Sequence, residues 1–208
     1  MNPHGAEHPR RWDTWPRNRW RWDRQRPGWV AGARRVVSPH CDHRPRGQDV
    51  ELIVLHGISL PPGQFGGPLV EQLFSGQLFG IGDGELGRLR VAAHFLLRRD
   101  GELVQFVPVH LRAWHAGLSS FRGRRGCNDF SVGIELEGTD DILYTGQQYA
   151  GLARLLRLLF DRYPGLLKQC VVGHEHIAPG RKTDPGASFD WTWLEAFFDA
   201  QLDPGERR

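Results

Sequence analysis

The chain has 208 residues, of which 39% are hydrophobic and 11% aromatic, enough for one domain of ordinary size with its own core. No apolar run approaches the roughly 18 residues of a membrane span, and the N-terminus lacks the apolar core of a secretory signal. Residues 1–46 hold 11 Arg and 4 acidic residues, whereas residues 47–208 hold 16 basic and 20 acidic residues. The excess of positive charge therefore belongs to the N-terminal part, and the body does not suggest a nucleic-acid-binding domain.

The three cysteines indicate the redox compartment of the protein. Cys41, Cys127 and Cys170 are an odd number without the spacing of a disulfide framework. Free thiols in a reducing compartment fit this pattern better than disulfides. We therefore predict a cytoplasmic protein.

The first 27 residues are rich in Arg, Trp and Pro, and they show neither a helical nor a strand period. We predict a mostly disordered N-terminal arm over residues 1–27, one folded domain over residues 28–203, and a short tail over residues 204–208. An extended gene start without a role is favoured for the arm. Contact with an anionic surface or nucleic acid through Arg and Trp is the alternative.

Strands are predicted in the first half of the domain. Residues 50–55 (VELIVL) form a near-continuous apolar run, typical of a strand buried on both faces, and the run ends at His56. In isolation, a histidine at this place is more often a hydrogen-bonded core group than a ligand. Residues 93–98 and 103–107 flank an Asp-Gly turn and predict a β-hairpin. A long loop follows from residue 112 to 129, and such loops often bind ligands.

The second half alternates strands with helices. Residues 131–137 alternate in a way that places Glu135 opposite Ile134 and Leu136. A helix over residues 145–162 begins with a capping box and carries an apolar stripe. Strand 169–172 and a last helix capped by Asp190 complete the domain. The order predicts an α/β fold with a mixed central β-sheet flanked by helices.

The loop that follows the last strand carries most of the ligand-type side chains. Residues 173–186 (GHEHIAPGRKTDPG) contain two His, one Asp, one Lys and one Arg. Imidazole nitrogen and carboxylate oxygen both suit zinc, and three protein ligands are the pattern of a catalytic zinc site. A polar surface loop with solvated charges is the plainer alternative for this stretch taken alone.

Five ordered segments together resemble a known family. They are LHGISLPPGQFGGP, RVAAHFLLRRDGELVQFVP, RAWHAGLS, CNDFSVGIELEGTD and GHEHIAPGRKTDPG, and they lie within residues 28–202. They resemble the zinc N-acetylmuramoyl-L-alanine amidases of family 2, which include a phage lysozyme and the peptidoglycan recognition proteins. The likeness is to the AmpD-type cytoplasmic branch, which cleaves 1,6-anhydromuropeptides in peptidoglycan recycling. The N-terminal arm lies outside the resemblance.

The resemblance implies a role for individual residues. One Zn²⁺ per chain would be bound by His56, His174 and Asp184. Glu135 would be the catalytic carboxylate, and Lys182 would stabilise the oxyanion. The residues implied to hold or line the substrate are Arg90, Trp114, His115, Ala116 and Arg181. The implied protein is a monomeric hydrolase of linear amides that needs no nucleic acid.

Three positions depart from the family pattern. Gly57 replaces the usual Asn after the first ligand, and Gly126 replaces the usual Arg before CNDF. His176 stands where the family usually has Asp, and it is a possible rival ligand.

Three other functions stay open at this point. A peptidoglycan-fragment binding protein on the same fold is the alternative from the binding class, but binding-only relatives typically lack a complete metal set. A broader amidase acting on intact cell wall is the alternative within the enzyme class. A cysteine hydrolase built on Cys127 and His115 is disfavoured, since no oriented base or oxyanion pattern surrounds Cys127.

Overall fold

The computed structural model describes residues 20–78 and 85–201. The strands in this part of the chain are β1 (Arg21–Trp22), β2 (Val30–Ala31), β3 (Arg34–Arg35), β4 (Cys41–His43), β5 (Leu52–Ile58), β6 (Phe95–Leu97), β7 (Leu103–Gln105), β8 (Leu111–Ala113), β9 (Ser120–Phe121), β10 (Arg124–Arg125), β11 (Ser131–Glu137) and β12 (Val171–Gly173). The helices are α1 (Leu69–Phe74), α2 (Glu85–Arg88), α3 (Gly146–Arg162), α4 (His174–Ile177) and α5 (Trp191–Gln201).

A mixed sheet forms the centre of the fold, with strand order β12-β5-β11-β6-β7-β3. Strands β12, β5, β11 and β6 run parallel to one another, whereas β6 and β7 form the predicted antiparallel hairpin. The predicted mixed sheet is therefore confirmed. The apolar run of β5 is fully buried from Leu52 to Leu55, as expected for a central strand covered on both faces.

Helix α3 covers one face of the sheet. Its buried leucines pack in one cluster with Ile53 and Leu55 of β5 and Ile134 of β11. The predicted capping box is present, because the Gln148 N–H donates to Thr145 Oγ1 at 3.2 Å and the Thr145 N–H donates to Gln148 Oε1 at 3.0 Å. The apolar stripe predicted for residues 145–162 is thus the stripe that covers the sheet.

The opposite face of the sheet carries the ligand-type side chains. Leu52 and Val54 of β5 pack there with Ala116, Phe130 and Ile177. Because side chains alternate along a strand, His56 lies on the same face as Leu52 and Val54. The sheet register places Glu135 directly opposite His56, and Gly173 opposite Leu55.

The structure corrects the predicted start of the folded domain. Trp20 is 9% exposed and packs in the α3 cluster, and β1 pairs antiparallel with β2. Residues 20–27 are therefore folded, although they were predicted to belong to the arm. Two-residue strands are too short to give a periodic pattern, so the sequence carried no signal for them. The rest of the predicted arm and the predicted tail lie outside the described residues.

Among the helices of the described residues, not one combines the length and the apolar character needed to cross a membrane.

Candidate metal and catalytic site

Three ligand-type atoms form a small triangle at the carboxyl ends of β5 and β12. His56 Nδ1 lies 3.0 Å from His174 Nδ1 and 3.0 Å from Asp184 Oδ2, and the third side of the triangle, from His174 to Asp184, is 3.1 Å. In the described part of the chain these residues form the one cluster of three or more His, Cys, Asp or Glu side chains able to hold a metal ion. A tetrahedral zinc with ligands at about 2.0–2.2 Å would separate them by roughly 3.3–3.5 Å, close to these distances.

The strand register explains how distant residues converge. His56 lies within β5, and His174 is the first residue of α4, directly after β12. Both side chains are buried, with 2% and 3% exposure. The loop that carries Asp184 folds back onto α4, where the Glu175 N–H donates to the Asp184 carbonyl at 3.0 Å. The ten-residue gap between His174 and Asp184 is thus closed by one loop.

The protonation states of His56 and Asp184 are those that bind a metal cation. Burial lowers the pKa of His56 to about 4, so its imidazole is neutral at neutral pH. Burial opposes ionisation of Asp184, but hydrogen bonds from His174 and His56 outweigh it and keep the pKa of this carboxyl below its usual range. A neutral imidazole and an ionised carboxylate are the forms in which His and Asp side chains bind a metal.

Glu135 is a buried carboxylate next to this triangle. It is 7% exposed, and its Oε2 accepts no hydrogen bond from the described residues. Burial and the nearby charge of Asp184 raise its pKa well above the usual value, while Lys182 opposes this shift. A carboxyl whose pKa is raised is a stronger base in its ionised form, and it can return the proton in a later step.

The two basic residues predicted beside the site differ in their contacts. Lys182 is exposed, and its positive charge acts to lower the pKa of both His56 and Glu135. Arg181 donates from Nη2 to the Ala116 carbonyl at 2.8 Å and to the Leu118 carbonyl at 2.7 Å. Arg181 therefore fastens the loop around residue 117 to the loop that carries Asp184.

The residues predicted to line a substrate groove do not share one environment. Ala116 is fully buried in the apolar cluster beneath the sheet, so its side chain cannot line a groove, and this part of the prediction is wrong. His115 points inward, with Nδ1 2.9 Å from His56 Nε2. Trp114 is partly exposed, stacks on His40 and donates to Asp42 Oδ1 at 3.1 Å. Arg90 is exposed beside a groove of about 340 Å³.

His176 is not a rival ligand. Its Nδ1 accepts the Gly173 N–H at 2.8 Å, and its ring packs on Trp191 with the centroids 5.0 Å apart. It lies outside the metal-type cluster and supports the start of α4 instead.

Sequence reasoning missed two residues that hold the site. Tyr144 is buried, donates to the Pro185 carbonyl at 2.8 Å, and fills the space that a Cβ at Gly57 or Gly138 would need. Asn128 Oδ1 accepts the backbone N–H groups of His115 at 3.1 Å and Ala116 at 2.8 Å. Asn128 lies in the CNDF segment and Tyr144 in none of the five segments, but no pattern predicts the contacts of either residue, so only the fold reveals them.

Comparison with known proteins agrees with this geometry. Residues 46–187 match the family model described as N-acetylmuramoyl-L-alanine amidase. The chain is 56% identical over 167 residues to the 1,6-anhydro-N-acetylmuramyl-L-alanine amidase AmpD of Escherichia coli, a match that covers 79% of this chain and 91% of that protein.

Two solved structures extend the likeness. A crystal structure of a selenomethionine derivative of AmpD superposes with a TM-score of 0.79 and 53% identity, covering 83% of this chain and 97% of that one. The Escherichia coli amidase AmiD, in complex with its substrate anhydro-N-acetylmuramic acid-L-Ala-D-γ-Glu-L-Lys, gives a TM-score of 0.55 at 26% identity, with coverage of 75% and 61%. The fold of the present chain, its His-His-Asp triangle and these matches together show that it belongs to the N-acetylmuramoyl-L-alanine amidase family.

Proposed function

We propose that this protein hydrolyses the amide bond between 1,6-anhydro-N-acetylmuramic acid and L-alanine in soluble muropeptides. The observation that carries the proposal is the convergence of His56, His174 and Asp184 beside the buried carboxyl of Glu135. The names and bound substrates of its relatives support the choice of substrate. The cytoplasmic location and the monomeric state stay predictions from the sequence.

The three ligand-type residues fit zinc as the resident metal. Two imidazole nitrogens and one carboxylate oxygen are a donor set that zinc accepts, and hard ions that prefer oxygen ligands fit it less well. A zinc ion held there would supply a Lewis acid that polarises the scissile carbonyl and makes nearby water more acidic. We therefore expect one zinc per chain.

Glu135 would move the proton. Its carboxylate takes a proton from the attacking water, and the resulting carboxylic acid delivers that proton to the nitrogen of the leaving L-alanine. The raised pKa makes the Glu135 carboxylate a stronger base toward the attacking water, whereas a carboxylate of ordinary pKa would accept that proton less readily. The unpartnered Oε2 leaves a lone pair free for this exchange.

Lys182 would stabilise negative charge on the amide oxygen as water adds to the carbonyl. Its ammonium group is exposed but close enough to act on Glu135. Arg90 and Trp114 remain proposed contacts for the carboxylates and peptide of the substrate. Arg181 holds the loop that directly follows Trp114 through the carbonyls of Ala116 and Leu118.

The test is a turnover assay on purified anhydromuropeptide, read by chromatography, with metal analysis of the same samples. We expect His174→Ala to lose metal and activity together, whereas the matched His176→Ala keeps both. Glu135→Gln and Lys182→Ala should keep the metal and lose about 10²–10⁴-fold in turnover. Full zinc in His174→Ala, or near-normal turnover in Glu135→Gln, would refute the assignment.

The same assay separates the alternatives. A protein that binds anhydromuropeptide without cleaving it, although loaded with zinc, would be a binding module. Equal rates on intact peptidoglycan and on soluble anhydromuropeptide would favour the broader cell-wall amidase.

A further inference from the structure

Behind the metal-facing atoms, both histidines of the triangle make hydrogen bonds to adjacent residues of one loop. His56 Nε2 lies 2.9 Å from His115 Nδ1, and His174 Nε2 lies 3.1 Å from the Ala116 carbonyl. We propose that His115 and the Ala116 carbonyl are positioning groups that hold both histidines in the tautomer with Nδ1 free for a metal ion. The inference rests on the metal site of the proposed function.

The hydrogen-bond roles can be assigned from the chain of contacts. If His56 Nδ1 and His174 Nδ1 bind a cation, each ring carries its proton on Nε2 and must donate it. A carbonyl can only accept, so the Ala116 oxygen selects the required tautomer of His174. Arg181 Nη2 lies 3.3 Å from His174 Nε2, but it donates to the same Ala116 carbonyl at the shorter distance of 2.8 Å. His115 Nδ1 must likewise accept from His56, which leaves the His115 proton on Nε2.

Ser131 provides the partner for that remaining proton. Its Oγ lies 3.1 Å from His115 Nε2, so the chain runs from His56 through His115 to Ser131. This chain of hydrogen bonds requires a His115 ring that accepts at Nδ1 and donates from Nε2.

The position of His115 is fixed on two sides. Its ring packs directly on Gly133 of β11, where an added Cβ would lie 2.5 Å from His115 Cγ. Its backbone N–H, together with that of Ala116, donates to Asn128 Oδ1. One amide side chain thus orients the two groups that receive the Nε2 protons of the candidate ligands.

The test measures Zn²⁺ affinity by competition with a chromophoric chelator, on the full-length protein. His115→Phe fills the same space without an acceptor, and Asn128→Ala releases the loop backbone. We expect each to bind Zn²⁺ about 10–100-fold more weakly, the usual cost of losing a partner of a metal-ligating histidine. His115→Asn places an oxygen near the position of Nδ1, and it should restore affinity to within about threefold. His43→Phe, at an exposed histidine, is the matched control and should change nothing.

Long-range ¹H–¹⁵N spectra of the zinc-loaded wild-type protein give a readout that needs no variant. We expect His56, His174 and His115 all to carry their proton on Nε2. A proton on His115 Nδ1 would overturn the proposal, as would a folded His115→Phe protein that binds Zn²⁺ as tightly as the wild type. Failure of the wild-type protein to bind Zn²⁺ at all would instead refute the proposed function.

Discussion

At the scale of single residues, Glu135 shows how a catalytic group can cost stability. The carboxyl is buried with one oxygen unpartnered, and Asp184 adds a like charge nearby. Both effects disfavour the ionised form in the folded state, whereas the unfolded chain solvates the same carboxylate freely. Active sites commonly keep strained or desolvated groups that lower the stability of the fold but are needed for activity.

This cost predicts a pH-dependent difference between the wild type and Glu135→Gln, both free of metal. Because the folded pKa lies above the unfolded value, the folded wild type keeps a proton that the unfolded chain has released. Its free energy of unfolding therefore falls as the pH rises from about 4.5 toward the folded pKa. The loss is about 1.4 kcal/mol for each unit by which the folded pKa exceeds the unfolded pKa. We expect the glutamine variant to be the more stable at pH 7.5 and the gap to close near pH 4.5. Urea denaturation at both pH values measures it, and a wild type that is the more stable at pH 7.5 would contradict it.

At the scale of elements, Arg44 joins several segments that lead into the site. Its guanidinium donates to the carbonyls of Asn128, Asp129 and Val109 at 3.1 Å each and to that of Ser131 at 2.8 Å. These carbonyls belong to the turn before β11, to the start of β11, and to the segment before β8. Burial lowers the pKa of Arg44 to about 10, which still leaves the group charged at neutral pH. The five donors of an arginine suit a convergence of this kind.

Replacing Arg44 by Met should therefore destabilise the fold by about 3 kcal/mol or more. The apolar side chain leaves four carbonyl groups without their donor, and each buried unsatisfied group costs roughly 1–3 kcal/mol unless water replaces it. Arg46→Met is the matched control at an exposed neighbour, and it should stay within about 0.5 kcal/mol of the wild type. A loss below about 1 kcal/mol for Arg44→Met would show that the segments hold together without it.

The same element scale shows what the sequence could predict. Strands β5 and β11 and helix α3 carry long, regular apolar patterns, so their place and burial were predictable. Helix α3 begins at Gly146, directly after its predicted cap. Strand β5 continues to Ile58, beyond the expected end at His56, because its last residues still pair with β11. The contacts of Arg44, Asn128 and Tyr144 join residues far apart in sequence, and no local pattern encodes such contacts.

At the scale of the whole molecule, the segment before β2 closes one side of the core. The Trp20 indole lies 3.5 Å from the position that a Cβ at Gly151 would take, an ordinary van der Waals distance, so it packs directly on α3. Trp22 packs against the same cluster. The folded unit thus includes residues that the composition assigned to the arm.

Two truncations test this boundary. A protein that begins at Gly28 loses the buried indole and the β1–β2 pairing, and we expect it to be less stable by about 3 kcal/mol or more. A protein that begins at Trp20 keeps these contacts and serves as the matched control. Neither truncation removes a group of the site, so both should keep their turnover at a temperature where they are folded. Thermal unfolding separates them, and equal transition temperatures would place the boundary after residue 27.

The order of the central strands also has a consequence for how the protein folds. His56, Glu135 and His174 meet only when β5 has paired with both β11 and β12, and these parallel pairings close long stretches of chain. Contacts of this kind form late and slowly, because the loop entropy is lost before the contacts compensate for it. A partly folded chain therefore lacks the assembled His-His-Asp triangle, so a metal ion binds only the fully folded state. Added zinc should leave the refolding rate nearly unchanged while it slows unfolding, so that metal occupancy reports whether folding has reached completion.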